Sequence, residues 1–444
     1  VILTMIVTDG FTQGRAQRIR SRFGGASRMK QLLILAAVLL SRPVLAADWL
    51  QWGGPHGDFT VDAKGLAEAW APDGPKQLWK RPLGPGYSSI LYKGGQLFTM
   101  YLDGDHEVVV SLDAITGETN WEHRYARKLW PDMSRQFGLG PNSTPLIVGD
   151  RIISIGVAGQ MRCLSLADGK LLWKHDLPGE YGRRKRVEEY GYSASPMPYN
   201  NSIIVQVGGN EHAVVAFHPD DGHVVWKSEP GGISYAQATI TKLGGRDQFV
   251  YFEPEGVVGL NPSTGRVLWR KSIEFNNGNH LTPIVKCDEN RIWVGSQFNT
   301  GGGRLLEITD GENGMEVSEK WFKRKLQASH WTSIRIGDFI YGSVGGNTTS
   351  FVAAFNWKTG DIAWRKRGFH KAQSLYADGK LLFLDETGEL AIARVSPEDF
   401  EVLARAPVAE SISWTLPTLV STKLYLRDNR NILALDLAND ANKQ

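Results

Sequence analysis

Beyond about residue 76 the apolar residues fall in short runs of β-branched and aromatic side chains, each bounded by turn residues, and no stretch keeps a helical period. The clearest unit runs from Gly256 to Trp269. Val257, Val258 and Leu260 enter a turn of Asn261, Pro262, Ser263 and Gly265, and Trp269 follows on the outgoing strand. Gly265 supplies the positive φ that a tight connection needs, and Trp269 is a large apolar plate that a neighbouring sheet must cover. A turn glycine with tryptophan four places later is also written at Gly117 and Trp121, Gly169 and Trp173, Gly222 and Trp226, and Gly360 and Trp364. Two degenerate copies fill the gaps. One runs from Ile308 to Trp321 through Gly311 and Gly314, and in the other, Ile392 to Leu403, Val402 and Leu403 stand in for tryptophan.

With Trp79 as a further member, the unit repeats every roughly 40–50 residues, the length of four short strands, which is one blade of a β-propeller. First strands are predicted at 89–92, 144–148, 195–199, 237–241, 282–285, 332–336, 373–376 and 416–420. The fold class is therefore all-β: an eight-bladed β-propeller of four-stranded antiparallel blades. Residues 76–82, with Trp79, have the form of an outer strand without partners, and the C-terminus has strands without an outer one. The ring is predicted to close by pairing these ends. Trp79, Trp121, Trp173, Trp226, Trp269, Trp321 and Trp364 are read as structural, packed between blades.

The N-terminus reads differently. Met29 and Lys30 open an apolar run to Leu40, and Val44-Leu45-Ala46 offers small residues for a signal peptidase. Residues 29–47 are expected to be a signal peptide, and 1–28, rich in arginine, an upstream extension outside the fold. Residues 48–75 form a clasp across the propeller, 76–438 the propeller and 439–444 a tail. These boundaries imply a periplasmic or secreted protein.

Removing residues 1–46 alters the charge. They hold seven of the 50 Lys and Arg and one of the 47 Asp and Glu, so the remainder carries 43 against 46, a net −3. Near neutrality does not recommend nucleic acid as a partner. Cys163 and Cys287 are the two cysteines, far apart in different repeats and away from the cleavage site. No lipid anchor is expected, and the two are read as buried, unpaired thiols, with a disulfide between them in an oxidising compartment as the alternative. Motifs for zinc hydrolysis, a nucleophile elbow or a phosphate loop do not occur.

Aligning the first strands places one residue of each blade at the mouth of the axial channel: Tyr87, Asn142, Ser193, Tyr235, His280, His330, Lys371 or His370, and Trp414, with Trp331 beside His330 as a stacking plate. Convergent polar and aromatic groups in a concave mouth make it the candidate site for a ligand or partner. No catalytic residue and no bound metal is assigned. Two long connections, 126–141 and 178–190, lead to the same face. The second carries Arg183, Arg184, Lys185 and Arg186, a candidate partner loop that Glu188 and Glu189 balance.

The repeat, an apolar strand, Asp or Asn, a turn, Thr-Gly, three residues and Trp, resembles the pyrroloquinoline-quinone-type propeller repeat over about 76–438. That family includes quinoprotein alcohol dehydrogenases and the propeller lipoprotein of outer-membrane β-barrel assembly. The opening Asp48-Trp49 and Trp52-Gly53 are similar to the mature N-terminus of its exported bacterial branch, although Gly53 stands where arginine is common. The resemblance implies, for an enzyme, adjacent cysteines against the quinone and a calcium site of Glu, Asn and Asp. This chain lacks the adjacent cysteines and comparable carboxylates. The expectation is thus an exported binding or scaffolding module, probing an envelope protein or small molecule through its mouth and long loops, a monomer without cofactor. The alternative is a quinoprotein-type oxidoreductase with the quinone and calcium in the axial funnel.

Overall fold

The computed structural model describes residues 47–183, 187–273, 284–296, 301–312, 314–328, 332–345, 350–369 and 371–439. Its strands form eight sheets, antiparallel throughout except where Thr60–Val61 joins the seventh. The fourth sheet is representative: Thr239–Leu243 on the inside, then Arg246–Glu253, Gly256–Leu260 and the outer Val267–Ser272. The alternation read from the sequence puts Val257 and Val258 on opposite faces of one strand, and both are buried because a blade is covered on each side. The eighth sheet joins the two ends of the chain. Lys76–Pro82 pairs antiparallel with Asn431–Asp436, Trp79 opposite Ala434, so an N-terminal strand closes the ring as the outermost strand of the last blade.

The repeated glycine and tryptophan act between blades. Each indole lies on the turn of the next blade, and its N–H donates to a carbonyl there: Trp79 to Ala114 O, Trp121 to Leu166 O, Trp173 to Pro219 O and Trp226 to Pro262 O, all at 3.0–3.1 Å. Trp321 and Trp364 do the same to Trp357 O and Ser396 O. Trp269 is the exception, because blade 5 carries the long connection through Gly311. Its indole donates within its own blade, to Gln248 Oε1 at 2.5 Å.

Blade 7 corrects the sequence reading. A bulge precedes the tryptophan in every copy, so that Gly259 faces Trp269 and Ala354 faces Trp364. The same bulge sets Ala404 opposite Ile392 and leaves Val402 opposite Ala393. Ala404, not Val402 or Leu403, holds the tryptophan's place, and Val402 points to solvent. The reason is topological: the third and outer strands of blade 8 come from opposite ends of the chain, so that blade has no turn for a tryptophan to cover.

The inner strands are shorter than the alignment predicts, Leu91–Lys93 and Leu146–Val148 for example. The residues before them spend their amides sideways. Ser89 N donates to Thr144 Oγ1 (3.1 Å), Thr144 N to Ser195 Oγ (3.0 Å) and Ser195 N to Gln237 Oε1 (2.6 Å), linking blades 1 to 4. Ser374 N donates to Thr332 Oγ1 at 2.5 Å, and Thr418 Oγ1 to Ile90 O at 2.6 Å across the closure. Buried amides must be paired, and here the partner is the adjacent blade rather than the strand's own ladder.

Residues 47–75 lie on the opposite side of this belt. Trp49, fully buried, exchanges backbone hydrogen bonds with Tyr92, Ile147 N donates to Leu50 O, and Thr60–Val61 adds a short parallel strand to the inside of blade 7, making that sheet five-stranded.

Candidate functional site

The residues just before the inner strands point toward one another. Tyr87 stacks on Trp414 with ring centroids 5.3 Å apart, joining the mouths of blades 1 and 8. Phe137, from the long connection 126–141, packs edge-on against Trp414 at 5.5 Å and against Tyr190 at 5.7 Å. Tyr190 ends the other long connection and meets Tyr235 of blade 4 at 5.6 Å. Five aromatic side chains therefore form one continuous arc, with Phe137, 42% exposed, at its centre.

Polar bonds fix the arc. Tyr87 OH donates to Phe137 O at 2.7 Å, and Asn429 Nδ2 donates to that hydroxyl. Asn142 Nδ2 donates to Tyr190 O (3.2 Å), Ser193 Oγ to Tyr235 O (3.0 Å), and Tyr190 N to the Tyr235 hydroxyl (3.3 Å). The Trp414 indole donates to Glu386 Oε2 at 2.9 Å, and Lys371 Nζ stands 3.5 Å from the same carboxylate and 5.7 Å above the Trp414 ring. Lys371 adopts φ 44°, a left-handed conformation that a lysine takes only where its surroundings hold it. Burial raises the phenol pKa of Tyr87 and of Tyr190, so both remain protonated donors.

The structure thus gathers Tyr87, Asn142, Ser193, Tyr235, Lys371 and Trp414 at one mouth. His280, His330, Trp331 and His370 lie outside the described residues, as do Arg184, Lys185 and Arg186. Arg183 is described: its guanidinium lies 4.8 Å over the Trp130 ring and ties the two long connections together, as does Ser134 N donating to Glu189 O at 2.7 Å. The second connection is not plain loop but contains the short helices Leu177–Tyr181 and Val187–Tyr190.

Phe137, Tyr190 and Glu386 are contributors that alignment of inner strands does not reach. Phe137 carries a signal in retrospect, a lone aromatic in the glycine-rich stretch before Pro141. Glu386 sits in a turn behind the second strand of blade 7 and has none.

The other end of the channel differs. Met197, Thr239 and Thr241 lie four to six residues beyond Ser193 and Tyr235 on the same chain segments, roughly 13–20 Å further along. With Trp52 and Phe59 from the N-terminal segment they line a cavity of about 310 Å³. The N-terminal segment narrows this end, and the aromatic arc frames the other.

Comparison with known proteins supplies the family. The sequence model described as outer membrane protein assembly factor BamB matches residues 59–184 and 105–366. The chain is 24% identical over 303 residues to the outer membrane protein assembly factor BamB of Burkholderia pseudomallei (strain K96243), covering 65% of this chain and 68% of that protein. Over 131 residues it is 29% identical to the quinoprotein alcohol dehydrogenase PedH of Pseudomonas putida, 29% of this chain and 20% of the other. Among solved structures, the computationally designed Ika8 protein superposes with a TM-score of 0.55 at 11% identity, over 81% of this chain and 99% of that one, a likeness of fold. Because the family's model spans most of the ring and the repeat it describes is written around it, this chain belongs to the pyrroloquinoline-quinone-like propeller family described as outer membrane protein assembly factor BamB.

Proposed function

We propose that the chain is an exported envelope protein that binds or scaffolds a protein partner on its aromatic mouth and the two long connections beside it. The observation that carries this is the arc from Trp414 and Tyr87 through Phe137 to Tyr190 and Tyr235. Rigid aromatic side chains held by hydrogen bonds, with an exposed ring at their centre, are the anchors that protein interfaces use. The name of the Burkholderia relative, an outer membrane protein assembly factor, supports an envelope setting.

The second reading, quinone chemistry, is favoured by the similarity to PedH. The described residues do not fit the group. Cys163 and Cys287 are separate buried thiols rather than an adjacent pair. Trp414 is already covered by Tyr87 and Phe137, and the nearby Glu386 carboxylate is engaged by Trp414 and Lys371, so among the described residues of the mouth no set of oxygen ligands for calcium remains.

The test is a photo-reactive phenylalanine analogue placed at position 137 of the full chain, with the same group at Ile115, an exposed turn residue far from the mouth, as control. A discrete protein adduct from position 137 that is absent from position 115 and lost on Trp414→Ala is expected. Equal labelling at both positions overturns the proposal.

A further inference from the structure

One outer turn breaks the repeat. In the other regular blades the residue that opens the turn is Asp113, Ser165, Asn261 or Asn356, and the residue after the turn glycine is Glu118, Lys170, Arg266 or Asp361. Each turn is closed the same way, the glycine N–H donating to the opening residue's carbonyl, and in blade 3 Gly222 N donates to His218 O at 3.0 Å. Here, however, both variable places are histidine, His218 and His223.

Their imidazoles stack with centroids 4.8 Å apart and planes inclined by 11°. Asp221 is beside both, its Oδ1 2.6 Å from His223 Nδ1 and 3.9 Å from His218 Nδ1. One donor atom from each of the three residues lies within 4.8 Å of the others. Nitrogen and oxygen ligands on a tetrahedral zinc ion, with bonds of about 2.0–2.1 Å, stand roughly 3.3 Å apart. The two carboxylate distances fall on either side of that value, so binding one ion requires the three donors to close in from the 4.8 Å within which they lie.

The turn is held in place from outside. Pro219 O accepts the Trp173 indole N–H at 3.0 Å, and His175 Nε2 lies 2.8 Å from Gly222 O. His218 is set by its neighbours as well: Nδ1 accepts the Asp220 N–H at 3.2 Å, a bond that an ion on Nδ1 replaces, while Nε2 is 2.7 Å from Asn201 Nδ2. Arg151 Nη2 is 3.3 Å from Asp220 Oδ1, while Asp220 Oδ2 stands 3.9 Å from His218 Nδ1 at the edge of the group. Two imidazoles with the Asp221 carboxylate make a donor set suited to a borderline transition-metal dication rather than to calcium or magnesium.

We propose that His218, Asp221 and His223 form a binding site for one divalent transition-metal ion of the zinc class, with solvent completing its coordination. It stands on the outer rim of blade 3, apart from the mouth, and does not depend on the function proposed there.

The test strips the full chain with a chelator and titrates it with zinc chloride by calorimetry, with cobalt(II) absorbance as a second readout of a nitrogen and oxygen ligand set. One equivalent is expected. His218→Asn with His223→Lys installs residues that sister turns already carry, so the turn closes as before while the equivalent is lost. Asp221→Asn, at an exposed position, weakens binding at least ten-fold. No uptake by the parent, or unchanged stoichiometry and affinity in the folded Asp221→Asn protein, overturns the site.

Discussion

Trp226 lies over Gly265 so closely that a Cβ on the glycine would stand 2.3 Å from Cε3 of the indole. The glycine also has φ 71°. Two independent demands, left-handed backbone and room for the neighbouring blade's ring, meet at one residue. Gly265→Ala is therefore expected to cost about 2–4 kcal/mol, from backbone strain and overpacking together. Trp226→Ala costs about 3–5 kcal/mol. The double variant loses the clash, so its cost falls short of the two combined by at least about 1 kcal/mol. Urea titrations of the four proteins measure this, and strict additivity would show that the glycine and the ring do not act on each other.

This pairing explains what was legible in the sequence. The glycine and tryptophan recur because one contact recurs, so blade number, blade length and the role of residues 76–82 can be read without coordinates. Ala404 could not be, because the bulge that displaces Val402 is a matter of strand register and leaves no mark in composition. The mouth was legible where side chains sit at a fixed offset from an inner strand, as Tyr87, Tyr235 and Trp414 do. Phe137 and Tyr190 arrive on long connections whose course is set by tertiary bonds such as Ser134 N to Glu189 O, and no periodicity reports those.

Exposure separates the residues that hold the ring from those that serve its mouth. Phe137 is 42% exposed and Trp269 only 4%. Phe137→Ala should change stability by less than about 1 kcal/mol while removing partner capture at the mouth, whereas Trp269→Ala costs about 3–5 kcal/mol. A large loss of stability from Phe137→Ala would make the arc a packing feature instead.

Ring closure rests on a buried cation as well as on strand pairing. Arg427, fully buried in blade 8, donates to Met100 O at 2.6 Å in blade 1 and to Gly84 O at 2.7 Å just before it. Removing the guanidinium relieves its desolvation, but it strands the buried Met100 carbonyl and the part-buried Gly84 carbonyl, and the second effect should win. Arg427→Met is expected to cost about 2–4 kcal/mol, and Arg427→Lys nearly as much, since one ammonium cannot reproduce the fork. A methionine variant as stable as the parent would show that the outer strand alone closes the ring.

Burial pushes the thiols of both Cys163 and Cys287 up to about 12. Thiolate is the reactive form, so neither cysteine should be alkylated in the folded protein at mildly alkaline pH, and both should be in guanidinium. Mass spectrometry after iodoacetamide treatment reads the result, and modification of a natively folded chain would contradict their burial.

The interface between blades 1 and 2 holds a buried carboxyl. Glu107 is completely covered, accepts the Val157 N–H at 2.8 Å and has its pKa raised above the usual 4.5, chiefly by desolvation and against the pull of Val157, Tyr125, Arg127 and Arg162. With the folded value above the unfolded one, the unfolded chain binds fewer protons in the window between them. Stability from this residue is thus complete below about pH 4.5 and declines as pH rises to the folded pKa, beyond which it is constant. Glu107→Gln keeps an oxygen for Val157 N, yet cannot ionise. Relative to the parent, the variant should gain stability as pH rises above about 4.5, a trend read from thermal melts of both proteins. If the attraction of Arg127 and Arg162 outweighed desolvation, the trend would run the other way, and a variant that weakens relative to the parent as pH rises would assign Glu107 to an inter-blade ion pair.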